Sequence, residues 1–198
     1  MPNSPEEHWE YTINEWSRPP FTDIINSLPE NIKVLYDIGA NAGGFTHILK
    51  ERYPKLMVYC FEPIKSTCQY LKQAVPYAEV IEKGVYYGKT ESRAVWRGSN
   101  IGAFFVEHID AGEPRVFTEE IMELCELEGL GIKNPDLIKM DIEGAEENVI
   151  EHSKTVKECP YLIIEWHPSR NQYEFFDTYL DHEIIVDLEG KQFLLKKR

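Results

Sequence analysis

Short apolar runs along the chain alternate with stretches whose apolar residues recur every three or four positions. Ile32–Asp37, Leu56–Phe61, Ala78–Glu82, Leu137–Met140 and Tyr161–Trp166 read as strands. Gly43–Tyr53, Lys65–Val75, Gly144–His152 and Tyr173–Leu180 read as helices, the first two stopped by Pro54 and Pro76. Strand and helix in turn imply a parallel α/β sheet with right-handed crossovers. Glu183–Leu188 and Gln192–Leu195 read as a hairpin turning at Glu189-Gly190. The rhythm breaks over residues 84–117, where Glu91–Trp96 and Gly102–Val106 suggest a small antiparallel pair followed by a polar loop at Glu107–Val116. Thr118–Leu127 then reads as a helix capped by Thr118, with Ile121, Leu124 and Cys125 on one face. Before the first strand, residues 1–31 suggest two short helices separated at Pro19-Pro20, packing on the sheet or roofing a pocket. Residues 32–198 then form one Rossmann-like domain.

Composition narrows the field of partners. The 198 residues carry a formal net charge of −13, which opposes phosphate backbones and anionic lipid heads, so nucleic acid and membrane are disfavoured. No apolar run approaches the roughly 20 residues of a membrane span. The N-terminus is polar and acidic, unlike a signal peptide. The four cysteines form no CxxC pair and read as reduced thiols of a cytoplasmic protein.

Chemistry concentrates where the strands end. Val34–Asp37 runs into Ile38-Gly39-Ala40-Asn41-Ala42-Gly43-Gly44, a glycine-rich turn that opens a helix and brings backbone N–H groups to a ligand. The dinucleotide fingerprint requires glycine at its first, third and sixth positions; counted from Gly39 the third is Asn41. A cofactor without a pyrophosphate therefore fits better, and Asp37 suits one that carries positive charge. S-adenosylmethionine, with an ammonium, a sulfonium and no phosphate, meets both conditions. Glu62 ends the second strand, 25 residues after Asp37, where one carboxylate can accept both hydroxyls of a ribose. Asp141 and Glu143 follow the fourth strand, and two nearby carboxylates call for a cation or a shared proton. Strand five ends in Glu165-Trp166-His167, placing Glu165 or His167 within reach of Asp141.

The runs Tyr36-Asp37-Ile38-Gly39-Ala40-Asn41-Ala42-Gly43, Phe61-Glu62-Pro63, Ile138-Lys139-Met140-Asp141-Ile142-Glu143-Gly144-Ala145-Glu146 and Ile163-Ile164-Glu165 resemble FkbM-type S-adenosylmethionine-dependent methyltransferases. The resemblance covers about residues 32–168 and is most specific in the Lys139–Glu146 run. It implies a seven-stranded Rossmann-like sheet in the order 3-2-1-4-5-7-6 with strand seven reversed, the hairpin supplying the last two strands. It also implies O-methyl transfer, typically to hydroxyls of sugars or natural products. It puts Asp37, Gly39, Ala40, Asn41 and Gly43 on the cofactor turn, Glu62 on the ribose, and Asp141 and Glu143 on the fourth-strand acids.

An aliphatic hydroxyl is a poor nucleophile and requires a base or a metal. Asp141, Glu143 and His167 are the candidates for catalysis, in that order. A divalent cation, if used, would find oxygen ligands in Asp141 and Glu165 and would be Mg²⁺ or Mn²⁺ rather than zinc. Arg97 and Asn100 are candidates for holding an acceptor hydroxyl. Two other classes fit the pattern less well: a nicotinamide-dependent oxidoreductase, and a non-catalytic nucleoside-binding protein of the same fold.

Overall fold

A computed structural model describes residues 4–97, 104–105 and 117–198, with side chains outside 93–120. The first strand, β1 (Val34–Ile38), is buried along its whole length, as a central parallel strand covered on both faces must be. It pairs in parallel with β2 (Met57–Phe61) on one side and with β8 (Leu137–Met140) on the other. β3 (Glu79–Ile81) extends the sheet beyond β2, and β9 (Tyr161–Glu165) extends it beyond β8, both in parallel. β11 (Gln192–Lys197) then adds antiparallel to β9, and β10 (His182–Leu188) antiparallel to β11. The order β3-β2-β1-β8-β9-β11-β10 is the one the resemblance implies, reversed strand included. Strand order thus reverses at β1 and β8, where open α/β sheets bind ligands beyond the carboxyl ends of their strands.

Helices cover both faces. Phe45 and Leu49 of α3 (Gly44–Arg52) bury on one side with Trp16, Ile24 and Ile25 from the N-terminal helices α1 (Pro5–Trp16) and α2 (Phe21–Ser27). Leu71 of α4 (Lys65–Ala74) packs into the same core. Val149 and Ile150 of α5 (Glu146–His152), Val156 of α6 (Lys154–Glu158) and Phe175 and Phe176 of α7 (Gln172–Tyr179) fill the other side.

The segment after β3 is where the sequence reading fails. β4 (Gly84–Val85), β5 (Glu91–Arg97), β6 (Phe104–Phe105) and β7 (Phe117–Cys125) form a second sheet, order β4-β7-β5-β6 among the described residues. The pairing of β5 with β6 is the expected antiparallel pair, Ala94 opposite Phe105 and Val95 opposite Phe104. The helix expected over Thr118–Leu127 is instead β7. Met122 and Leu124 are buried while Ile121 is 65% exposed, an alternation of two that the Ile121, Leu124, Cys125 spacing concealed. Seven antiparallel pairs with β5, Thr118 facing Trp96 among them, hold the segment extended. The expected loop at 107–116 and Asn100 lie outside the described residues, as does the side chain of Arg97.

Candidate active site

Gly39 sits at φ +76°, and a Cβ there would lie 1.8 Å from the Asp141 carbonyl oxygen. Only glycine lets the β1 turn press this closely against the end of β8. Gly43, at φ +89°, begins α3 and packs against Leu71 behind the turn. Asn41, between them, also has positive φ, at 49°. Its amide N–H donates to Glu62 Oε2 at 3.0 Å, and the Ile64 N–H donates to Glu62 Oε1 at 2.9 Å. The end of β2 is thereby tied to the glycine turn through one buried carboxylate. Burial pushes the Glu62 carboxyl up to about 7, against the pull of those two N–H donors.

Asp37 lies fully buried beneath the turn. The positive group it meets is Lys139: Nζ stands 3.7 Å from Asp37 Oδ1, while Thr46 Oγ1 donates to Asp37 Oδ2 at 2.6 Å. Lys139 also donates to Gly39 O at 3.0 Å and Asp141 Oδ2 at 3.2 Å, so one buried cation joins the ends of β1 and β8. Burial alone would lower the Lys139 pKa, but Asp141 and Asp37 raise it above its ordinary value. Burial raises Asp37, with Lys139 and Thr46 opposing.

The acids after β8 have different roles. Glu143 takes positive φ, at 53°, ahead of Gly144 at 103°, a conformation that strains a non-glycine residue at the site itself. Burial pushes its carboxyl up to about 7, His167 opposing. Glu146 is fully buried and accepts from the Ile142 and Gly144 N–H groups at 3.1 and 3.0 Å. Capping of this turn therefore belongs to Glu146, and Asp141 and Glu143 are left facing the open space. His167 Nδ1 lies 2.9 Å from Glu146 Oε1, and its Nε2 lies 3.5 Å from Glu165 and 3.8 Å from Glu143. Burial would depress this imidazole, but the bonds to Glu146 and Glu165 outweigh it and push it up to about 11. With no ion at Nε2, the surrounding carboxylates favour the protonated ring.

Two cavities open at this edge of the sheet. The first, about 120 Å³, runs from Glu62 past the apolar side chains of Ile64, Val85 and Met122. The second, about 180 Å³, is bounded by Ala40, Lys139, Glu165 and the α1 residues Tyr11 and Glu15. They share His8, Gly39, Asn41, Asp141 and Glu143. Of the residues marked from the sequence, Gly39, Asn41, Asp141 and Glu143 converge on both cavities, Glu62 on the first, and Ala40 and Glu165 on the second. Asp37, Gly43 and His167 line neither: Asp37 and Gly43 are buried, and His167 contacts the lining residues Glu143 and Glu165 from outside the two cavities.

Sequence reasoning missed Lys139, Glu146 and His8. Lys139 stood inside the most specific motif, and a lone lysine in an apolar strand run was the available signal. Glu146 had an easy explanation in the helix dipole, which hid its burial. For His8 no local signal existed. α1 packs on α3, where a Cβ on Gly44 would come within 2.8 Å of Thr12, and that contact brings His8 Nε2 to 3.3 Å from the Asn41 side-chain nitrogen.

A Rossmann-like α/β fold with a ligand cleft at its switch point is the class this fold and site define. The family model for the methyltransferase FkbM domain matches residues 37–193, and the chain belongs to that family. A search of curated protein sequences finds no match. Among solved structures, an O-methyltransferase family protein from Burkholderia thailandensis is 12% identical with a TM-score of 0.57, over 98% of this chain and 59% of that one. The precorrin-6y C5,15-methyltransferase of Geobacter metallireducens GS-15 is 12% identical with a TM-score of 0.52, over 96% and 87%. Human N-acetylserotonin methyltransferase, in complex with S-adenosylmethionine, is 11% identical with a TM-score of 0.52, over 98% and 56%. At these identities the likeness establishes the fold, and the chain spans less than two thirds of the first and third of these proteins. No helix among the described residues is long and apolar enough to cross a membrane.

Proposed function

We propose that this chain is an S-adenosylmethionine-dependent O-methyltransferase acting on a hydroxyl of a sugar or another small molecule. The observation that carries the reading is the meeting of the two cavities at Gly39, Asn41, Asp141 and Glu143. One has a ribose acceptor in Glu62 and an apolar slot for a base, and the other is lined by proton acceptors.

The residues present fit the cofactor. Gly39 presses the turn against Asp141 and lines both cavities, and Asn41 Oδ1 is buried without a partner among the described residues, an acceptor for an ammonium. Glu62 spends one lone pair of each oxygen on a backbone N–H and keeps the others for the ribose diol. When bound, S-adenosylmethionine supplies a methyl group already activated on a sulfonium. The chain's remaining task is to align the acceptor and take its proton. Asp141, on both cavities and held by Lys139, is the first candidate to receive that proton, and Glu143 the second. His167 stands against Glu143, Glu146 and Glu165, so its part is to orient and neutralise these acids rather than to act as the base.

Glu62 gives the cofactor reading a pH signature. Its carboxyl, raised to about 7, must be ionised to accept two hydroxyls, so affinity for S-adenosylmethionine rises with pH and levels off above about 7. The folded state holds this proton between the ordinary value of 4.5 and about 7 while the unfolded chain has lost it, so the free protein loses stability as pH rises through that window. Glu62→Ala weakens binding by about 1.5–3 kcal/mol, the range for hydrogen bonds to a charged group, and flattens the pH dependence. Calorimetry at pH 6 and pH 8 on both proteins measures this, and unchanged affinity in a folded Glu62→Ala variant removes Glu62 from the ribose.

The acceptor class is tested with isotopically labelled methyl donor and a panel of sugars, polyols and phenols. Label appearing in an ether of one of these compounds is the expected result. Transfer only to amines, thiols or carbon would contradict O-methylation and leave the cofactor reading standing.

A further inference from the structure

Five carboxyl groups, from Asp37, Asp141, Glu143, Glu146 and Glu165, gather at the ends of β1, β8 and β9 around two cationic side chains, Lys139 and His167. Glu15 of α1 adds another acid on the same cavity. Within this group Asp141, Glu165 and His167 each offer a ligand atom, and these atoms lie within 4.8 Å of one another. Around an octahedral ion at about 2.1 Å, opposite ligands stand about 4.2 Å apart and neighbouring ones about 3.0 Å, so the three side chains would close in by up to about 1.8 Å.

Each of the three is already held at one atom by a partner. Lys139 donates to Asp141 Oδ2, leaving Oδ1. Gln192 donates to Glu165 Oε2 at 2.9 Å, leaving Oε1, which faces His167. Glu146, itself locked by two backbone N–H groups, holds His167 Nδ1, and an ion at Nε2 would take the place of the proton that nitrogen presents to Glu165 and Glu143. A carboxylate behind an imidazole is the arrangement that orients a metal-ligating histidine. Gln192 adds an independent sign: it is 7% exposed, and its Oε1 has no partner among the described residues although its Nε2 is bonded to Glu165. That oxygen is an open acceptor on a side chain bonded to Glu165.

We propose that Asp141, Glu165 and His167 form the seat of a divalent cation, with Mn²⁺ the best match to one imidazole and two carboxylates. The inference rests on the methyltransferase reading for its purpose: an acceptor hydroxyl bound there becomes more acidic, and Glu143 is placed to take its proton. The seat itself does not depend on that reading.

The test is titration of the metal-stripped protein with Mn²⁺ alone, followed by electron paramagnetic resonance, with circular dichroism to verify folding. One Mn²⁺ per chain is expected, with electron spin-echo modulation from a single imidazole nitrogen. Glu165→Gln should weaken binding at least tenfold, and His167→Ala should remove the nitrogen modulation. No binding at millimolar Mn²⁺ by the folded protein overturns the proposal, and so does binding that lacks nitrogen modulation and is unchanged in Glu165→Gln. Calorimetry with S-adenosylmethionine on the same samples separates the two readings. A chain that binds the cofactor but not Mn²⁺ overturns the cation seat alone; one that binds Mn²⁺ but not the cofactor keeps the seat and overturns the methyltransferase reading.

Discussion

Asp141→Asn keeps the fold and S-adenosylmethionine binding and lowers turnover of a true acceptor by roughly a hundredfold or more, the usual contribution of general acid–base catalysis. The substitution preserves size and much of the hydrogen bonding but removes charge and basicity. Asp141 has no capping duty to lose, because Glu146 accepts the N–H groups of the turn. Its described hydrogen-bond partner is Lys139, which retains Asp37 and the Gly39 carbonyl oxygen. Stability should therefore change little, and the loss should appear in kcat. The same fall is expected whether Asp141 takes the proton directly or holds a cation, and chelator distinguishes the two. Full turnover by the Asp141→Asn variant would exclude both.

Lys139→Met should destabilise the protein by about 3–5 kcal/mol, the cost of removing one partner from a buried pair. Methionine matches the length of the lysine stem, so packing in β8 is kept. Asp37 would then be fully buried with the Thr46 hydroxyl as its remaining described partner and no cation. Chemical denaturation at pH 7 measures the loss as a lower midpoint at constant slope. The double variant Asp37→Asn with Lys139→Met should recover part of it, since no charge is then left unpaired. Wild-type stability in Lys139→Met would mean that Asp37 is already neutral and that the pair does not hold the turn.

The central strands β1, β2, β8 and β9 were legible because they are nearly continuous apolar runs buried over most of their length, and Asp37, Glu62 and Asp141 were legible as the polar residues at the ends of such runs. Their separate duties were not. Asp37 and Asp141 both follow apolar strand residues, yet one lies beneath Lys139 and the other beside a cavity, a difference decided by contacts about a hundred residues apart in sequence. β7 was misread because Ile121, Leu124 and Cys125 fit a helical face as well as Met122 and Leu124 fit a strand, and only pairing with β5 chooses between them. His8 could not be placed at all, since its position depends on how α1 packs on α3.

Calorimetric titration with S-adenosylhomocysteine, with NAD as the comparison, tests the cofactor assignment most directly. The glycine turn lacks the middle glycine that a pyrophosphate needs, while Glu62 and Asn41 offer acceptors for a ribose and an ammonium. The expected result is saturable binding of one S-adenosylhomocysteine per chain, displaced by S-adenosylmethionine and untouched by NAD. Tighter binding of NAD, or no binding of either adenosyl compound at millimolar concentration, would contradict the account.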